Sequence, residues 1–159
     1  MTKTGRGRTR RSRGRDGGSR VEDPPGDGGP DEAASFIAET VAELASSVPV
    51  VKAFRVDPDF DLKTLNNYPG AFAFLFDAAL TGQYGGTGHT TDWDVARRAT
   101  VGRRIILAGG LNVENVAAAV RIVRPYGIDV ASGVESGPGK KDHGLLREFI
   151  EEVRRAERK

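Results

Sequence analysis

Cysteine is absent from all 159 residues. That excludes disulfides, thiolate metal sites and a cysteine nucleophile supplied by this chain, and it fits a reducing compartment. Long apolar runs are absent too. None approaches the roughly 20 residues of a membrane helix, and no signal-peptide core follows the N-terminus. The chain therefore reads as cytoplasmic, with no membrane partner. Metal ligands are scarce: His89 and His143 stand far apart, neither with a second ligand at metal spacing, and both read as surface residues. The familiar phosphate loops are missing as well. Gly85-Gly86-Thr87-Gly88 is followed by His89 where a Walker loop needs lysine, and it lacks the third glycine of a dinucleotide fingerprint. It reads as a flexible loop able to close over a ligand. Gly137-Pro138-Gly139-Lys140-Lys141 has lysine where Ser or Thr would hold magnesium.

What is present is distributed unevenly. Residues 1–20 hold eight Lys/Arg against one Asp, a net +7, which leaves −5 for the remainder of a chain whose total is +2. Residues 1–30 contain one aliphatic residue beyond Met1, Val21, and nothing able to offset the entropy of ordering a backbone. They read as a disordered basic tail, either solvated or a translated stretch upstream of the domain. An Arg/Gly run can bind nucleic-acid phosphates, but this one has no interleaved aromatics for base stacking, so a nucleic-acid partner is disfavoured.

At Asp31 the composition changes. Phe36, Ile37, Val41, Leu44 and Val48 recur at helical spacing up to Pro49. Residues 50–54 read as a buried strand. Asp57-Pro58 reads as an N-cap and first helical residue of a short helix through Leu65. Residues 71–76 are almost continuously apolar and close on Asp77. A loop over 78–91 leads to a short helix capped by Asp92, in which Trp93 packs under the loop rather than on a ligand. Strand 105–108 follows, then a helix capped by Asn112 with Val116, Ala119, Val120 and Val123 inward. Strand 128–131 comes next, then a loop, and a last helix from Asp142 with Leu145, Leu146, Phe149, Ile150 and Val153 on one face.

Four short strands, apolar on both faces and alternating with helices, predict an α/β fold with a parallel sheet covered by helices. The organising stretch is 104–141. Two of its apolar runs end in small residues, Gly109-Gly110 and Ser132-Gly133, whose backbone N–H groups can approach an anion closely. These two turns are expected to grip one phosphate, helped by a short helix near Gly137. Asp77 ends a strand where a carboxylate is partly desolvated and suited to general-acid work, with a simple loop cap as the alternative.

Together these pieces resemble phosphoribosylanthranilate isomerase, a family of the tryptophan pathway. The carrying residues are Phe74-Leu75-Phe76-Asp77, then Tyr84-Gly85-Gly86-Thr87-Gly88 with Asp92-Trp93. Leu107-Ala108-Gly109-Gly110-Leu111-Asn112 with Glu114-Asn115-Val116 follows. Asp129-Val130, Ser132-Gly133-Val134-Glu135, Pro138-Gly139 and Lys141-Asp142 complete the set. The resemblance covers residues 31–159. It implies the C-terminal (β/α)4 half of a TIM (β/α)8 barrel, with 1–30 as a separate tail.

The resemblance further implies an Amadori rearrangement of N-(5-phosphoribosyl)anthranilate to 1-(2-carboxyphenylamino)-1-deoxyribulose 5-phosphate, without a cofactor. Asp77 matches the family's general acid, and Gly109, Gly110, Ser132 and Gly133 match its phosphate-gripping turns. The family's base is a cysteine in a Lys-Ile-Cys-Gly motif on the first strand. That motif and the arginine that holds the anthranilate carboxylate belong to a first half with no counterpart here. Two readings stand beside the isomerase: a truncated or split half-barrel that only binds phosphate esters, and a binding module acting through the Arg-rich tail. The expected partner is a phosphorylated small molecule. Open edges at strands 50–54 and 128–131 predict self-association or pairing with a separate first half. Inward residues among Val50, Phe54, Phe74, Ile106 and Val130 would otherwise meet water.

Overall fold

A computed structural model describes residues 30–78 and 91–158. The expected tail, up to residue 29, and the glycine loop with His89 lie outside them. The described chain opens with α1 (Pro30–Ala45), followed by β1 (Val51–Val56), β2 (Ala73–Ala78) and α2 (Thr91–Ala99). Next come β3 (Ile105–Ala108), α3 (Val116–Val123), β4 (Gly127–Ile128), a hairpin of β5 (Glu135–Gly137) and β6 (Lys140–Lys141), and α4 (His143–Glu157).

Strands β1 to β4 form one parallel sheet in chain order. Parallel neighbours need a crossover, so each connection must cover a face of the sheet. Helix α2 packs against β2 and β3 and beside α3, and α3 packs beside α4. Their apolar stripes bury one side of the sheet. Phe74, Phe76, Ile105 and Leu107 point into this core, and Val116, Ala119, Val120 and Val123 of α3 are all buried against it, as the helical spacing predicts. Phe54 meets Phe60 and Tyr68 edge-on at ring distances of 5.5 and 5.6 Å, which extends the core over β1. Trp93 is buried, consistent with a packing role.

The other face of the sheet is not covered by any described helix. On β1 the exposed residues are Val51, Ala53 and Arg55, alternating with half-buried Lys52 and Phe54 and buried Val56. Val51 is 45% exposed. Register carries this face across Ala53, Leu75, Ile106 and Gly127, of which Ala53 is exposed and the others half-buried. Of the residues expected to meet water, Phe54 and Phe74 belong to the helix-covered core, because they occupy the alternate positions of their strands.

Three local expectations change. Asp57 does not cap a helix: its carboxylate accepts from Asp59 N–H at 3.0 Å in a tight turn, and the helix that follows is 3-10, Leu62–Asn67, capped by Asp61. Strand β4 has only two residues. Asp129 N–H still donates to Leu107 C=O at 2.9 Å, but the chain then winds into a 3-10 turn, Ser132–Val134. Ile150 is 40% exposed, and Ala156 is the buried residue further along α4. The Asp142 cap is as expected. It accepts from Leu145 and Gly144 N–H groups, and these bonds hold its carboxyl below the usual aspartate range. Among the described residues no helix is long and apolar enough to cross a membrane.

Candidate active site

The C-terminal ends of β2, β3 and β4 surround a cavity of about 300 Å³. Asp77, Gly109, Gly110, Ser132 and Gly133 all line it, with Leu75, Ala108, Asp129 and Val130 among the others. In a parallel sheet all strands end on one rim, so residues far apart in the chain converge there. Asp77 and Ala108 are register partners on adjacent strands, and the Gly109-Gly110 turn starts one residue later.

Each turn is built by a specific constraint. Gly109 and Gly110 have φ of +87° and +59°, the left-handed region that glycine enters without penalty. This sharp reversal takes the chain off the end of β3. Gly133 has an ordinary φ, yet it also has no room for a side chain. A Cβ there would overlap the Leu111 carbonyl oxygen and stand 2.8 Å from its carbon and 3.0 Å from Asn112 Cα. The two turns are thus packed backbone to backbone.

Asn115 ties the first turn to the helix behind it. It is buried, its Nδ2 donates to Gly110 C=O at 2.9 Å, and its Oδ1 accepts from Asn112 N–H at 2.9 Å. Asn112 in turn accepts from the N–H groups of Glu114 and Asn115 at 2.9 and 3.1 Å, so it caps the turn leading into α3, whose own N-cap position is Asn115 rather than Asn112. The positioning role of Asn115 is not evident from the sequence reading. Its signal was available: a second amide three residues after a capping Asn can return a bond to the cap's own N–H.

The second turn is braced from below. Lys141 Nζ donates to Ala131 C=O at 2.8 Å and to Glu135 Oε1 at 2.7 Å. The Lys141 ammonium, together with the Gly139 N–H, draws the Glu135 carboxyl below its usual range. No helix begins at Gly137, contrary to expectation. That residue closes β5, and the hairpin occupies the place assigned to the helix.

Asp77 makes no hydrogen bond or ion pair with the described residues, and the loop it would cap, 79–90, lies outside them. It is also exposed, so the described residues do not supply the desolvation expected at a strand exit. The arrangement puts two small-residue turns on one side of the cavity and the Asp77 carboxylate on the other. Among the described residues no cluster of three or more His, Asp or Glu could hold a metal ion.

Residues 35–152 match the family model of N-(5'-phosphoribosyl)anthranilate isomerase. A relative of that name from Pelobacter propionicus is 52% identical over 101 residues, which cover 64% of this chain and 48% of the relative. The phosphoribosylanthranilate isomerase structure from Thermotoga maritima superposes with a TM-score of 0.61 at 39% identity, covering 73% of this chain and 56% of that one. Another such structure, in complex with reduced 1-(o-carboxyphenylamino)-1-deoxyribulose 5-phosphate, gives 0.58 at 34% identity, covering 73% and 54%. The chain spans about half the length of the curated relatives it matches.

Proposed function

The chain belongs to the phosphoribosylanthranilate isomerase family, and from that premise we propose that its sheet is the C-terminal half of a (β/α)8 barrel that isomerises N-(5'-phosphoribosyl)anthranilate. Residues 31–159 form this unit, with 1–30 a separate basic segment, and the reaction has a cytoplasmic setting. The observation that carries the reading is the cavity shared by Asp77 and both small-residue turns. Barrel enzymes of this architecture put their chemistry at the C-terminal ends of the strands, with phosphate bound after the last two. Here those are β3 and β4.

The division of labour follows from the chemistry. The N–H groups of Gly109, Gly110, Ser132 and Gly133 hold the phosphate, fixing one end of the sugar. Asp77 protonates the ribose ring oxygen, and the ring opens to a protonated imine. A base then removes the C2 proton, and the resulting enol relaxes to the ketone. This chain has no cysteine, so the base is contributed by the first half of the barrel. The substrate is a phosphate ester, and a reduced product analogue of the kind held by the neighbouring structure should occupy the same cradle.

The phosphate site is tested by binding of ribose 5-phosphate, measured by calorimetry. Gly110→Asp should abolish it, because a carboxylate then stands beside the phosphate. Gly110→Asn carries the same backbone strain without the charge, and Asn tolerates the left-handed region, so it should retain most of the affinity. Unchanged binding in Gly110→Asp would overturn the assignment.

The open face and the outer edges of β1 and β4 are the surfaces that the other four strands would cover. Unpaired strand edges recruit partners. The isolated chain should therefore sediment as a dimer or larger species, or bind a separately produced first half. A compact monomer whose melting temperature is independent of concentration would refute the half-barrel reading.

A further inference from the structure

A second cavity, of about 690 Å³, opens at the other end of the sheet. It lies between the 3-10 helix Leu62–Asn67, the segment entering β2, and residues 100–104 entering β3. Along β3, at ~3.3 Å per residue, roughly 16 Å separates Arg104 from the Gly109 turn. Two arginines line this cavity, Arg103 and Arg104, and no carboxylate does among the described residues. The cavity at the C-terminal ends of α3 and α4 also has two arginines, Arg121 and Arg124, but Glu157 lines it beside them.

Both guanidinium groups are held in place. Arg103 Nη2 donates to Asn66 Oδ1 at 2.7 Å, which ties it to the 3-10 helix. The Arg104 guanidinium lies 4.6 Å over the Phe72 ring and 5.6 Å from that of Tyr126, and these two rings meet edge-on at 6.0 Å. The Arg104 backbone is fixed as well, because Phe74 N–H donates to its C=O at 2.9 Å. Neither arginine forms an ion pair among the described residues. Arg104 Nη1 makes one long bond, 3.4 Å, to Phe72 C=O, and the remaining side-chain donors of both residues are unused there. Two cations on one cavity repel, and an anion between them relieves the repulsion.

The lining selects a class of ligand. A phosphate monoester carries about −1.5 to −2 charge at neutral pH, and guanidinium forks match its oxygens with paired bonds. Leu65, Tyr68 and Phe72 supply an apolar wall beside the arginines, and the volume exceeds what a bare phosphate fills. Gly102 keeps its side of the cavity clear, since a Cβ there would meet nothing within 4 Å. We infer that this cavity is a second ligand site, which takes an organic phosphate with its phosphate on Arg103 and Arg104 and an apolar body against Phe72. It is independent of the site at Asp77 and of the half-barrel reading.

The test follows amide NMR shifts of the full chain, with phenyl phosphate and inorganic phosphate as probes. Phenyl phosphate should shift the amides of Gly102, Arg103 and Arg104 saturably. The double variant Arg103→Gln/Arg104→Gln should weaken that response about ten- to hundredfold, the usual range for lost bonds to a charged group. Shifts of Gly109 and Gly110 with ribose 5-phosphate should keep their midpoint in this variant. Arg103→Lys/Arg104→Lys keeps both charges without the forks and should recover part of the loss. It also decides the matter if the glutamine variant does not fold, because its midpoint should still lie several-fold above wild type. Inorganic phosphate should bind about tenfold more weakly than phenyl phosphate, since it lacks the apolar body. Equal binding of the two probes makes this a site for free phosphate and overturns the organic-ligand assignment. Shifts that stay linear with concentration, or a midpoint unchanged in both variants, overturn the site itself. Silence at Gly109 and Gly110 alone counts against the phosphate reading of the first site and leaves this one standing.

Discussion

Gly133→Ala should destabilise the chain by about 3 kcal/mol or more, at the upper end of the cost of overpacking, and remove binding of ribose 5-phosphate. The added methyl would overlap the Leu111 carbonyl oxygen, with the carbonyl carbon and Asn112 Cα also within 3.0 Å. These are backbone atoms of the neighbouring turn, and Asn112 is locked to Asn115 by reciprocal bonds. No rotamer change relieves the clash, so the turns must separate. Separation would widen the anion cradle and strain the Asn115 bond to Gly110 C=O. Thermal melting should show a loss of about 10 °C for a domain of this size. Gly139→Ala is the control. A Cβ there meets nothing within 4 Å, and only its φ of +72° opposes the change. It should cost about 1 kcal/mol, the ordinary left-handed penalty. If the two variants melt alike, the backbone contact is not what holds the turns together.

Asp77→Asn should lower turnover of N-(5'-phosphoribosyl)anthranilate about a hundred- to ten-thousandfold, the usual contribution of a positioned general acid. The measurement is made on this chain combined with a separately produced first half. The amide has the carboxyl's shape but no proton to give to the ring oxygen. Asp77 makes no bond with the described residues, so the substitution should leave both melting temperature and ribose 5-phosphate binding unchanged. The loss should fall on kcat rather than on phosphate affinity. Activity within a few-fold of wild type would assign the proton transfer elsewhere. An equal loss of phosphate binding would mean that Asp77 supports the site rather than acting in the chemistry.

Much of the fold was legible because its cues are local. Apolar runs ending in glycine marked β3 and the glycine turn that follows it. Asn112 and Asp142 announced the segments they cap, since a short polar side chain before a helical pattern satisfies N–H groups that would otherwise be orphaned. The inward stripe of α3 followed from its 3.6-residue period. Where two local cues competed, the reading was less accurate. Asp57-Pro58 has the form of a cap and first helical residue, but Asp61 lies four residues on, and the tight turn at Asp57 left the capping to it. The run 128–131 was apolar enough for a strand, yet β4 has only two residues before the chain turns into the 3-10 helix at Ser132.

The sequence by itself determined the order of elements, the parallel α/β class, and the residues brought to the rim, because periodicity and turn chemistry act within a few residues. Only the tertiary structure decided how those residues meet. It put Gly133 against the Leu111 backbone, Asn115 on the Gly110 carbonyl, and a brace of Lys141, Glu135 and Ala131 where a helix was expected. It also left Asp77 exposed and aligned Arg55 beside it on an uncovered face. Close approach, register and burial depend on which strands become neighbours, and register partners in this sheet are 21 to 31 residues apart in the chain.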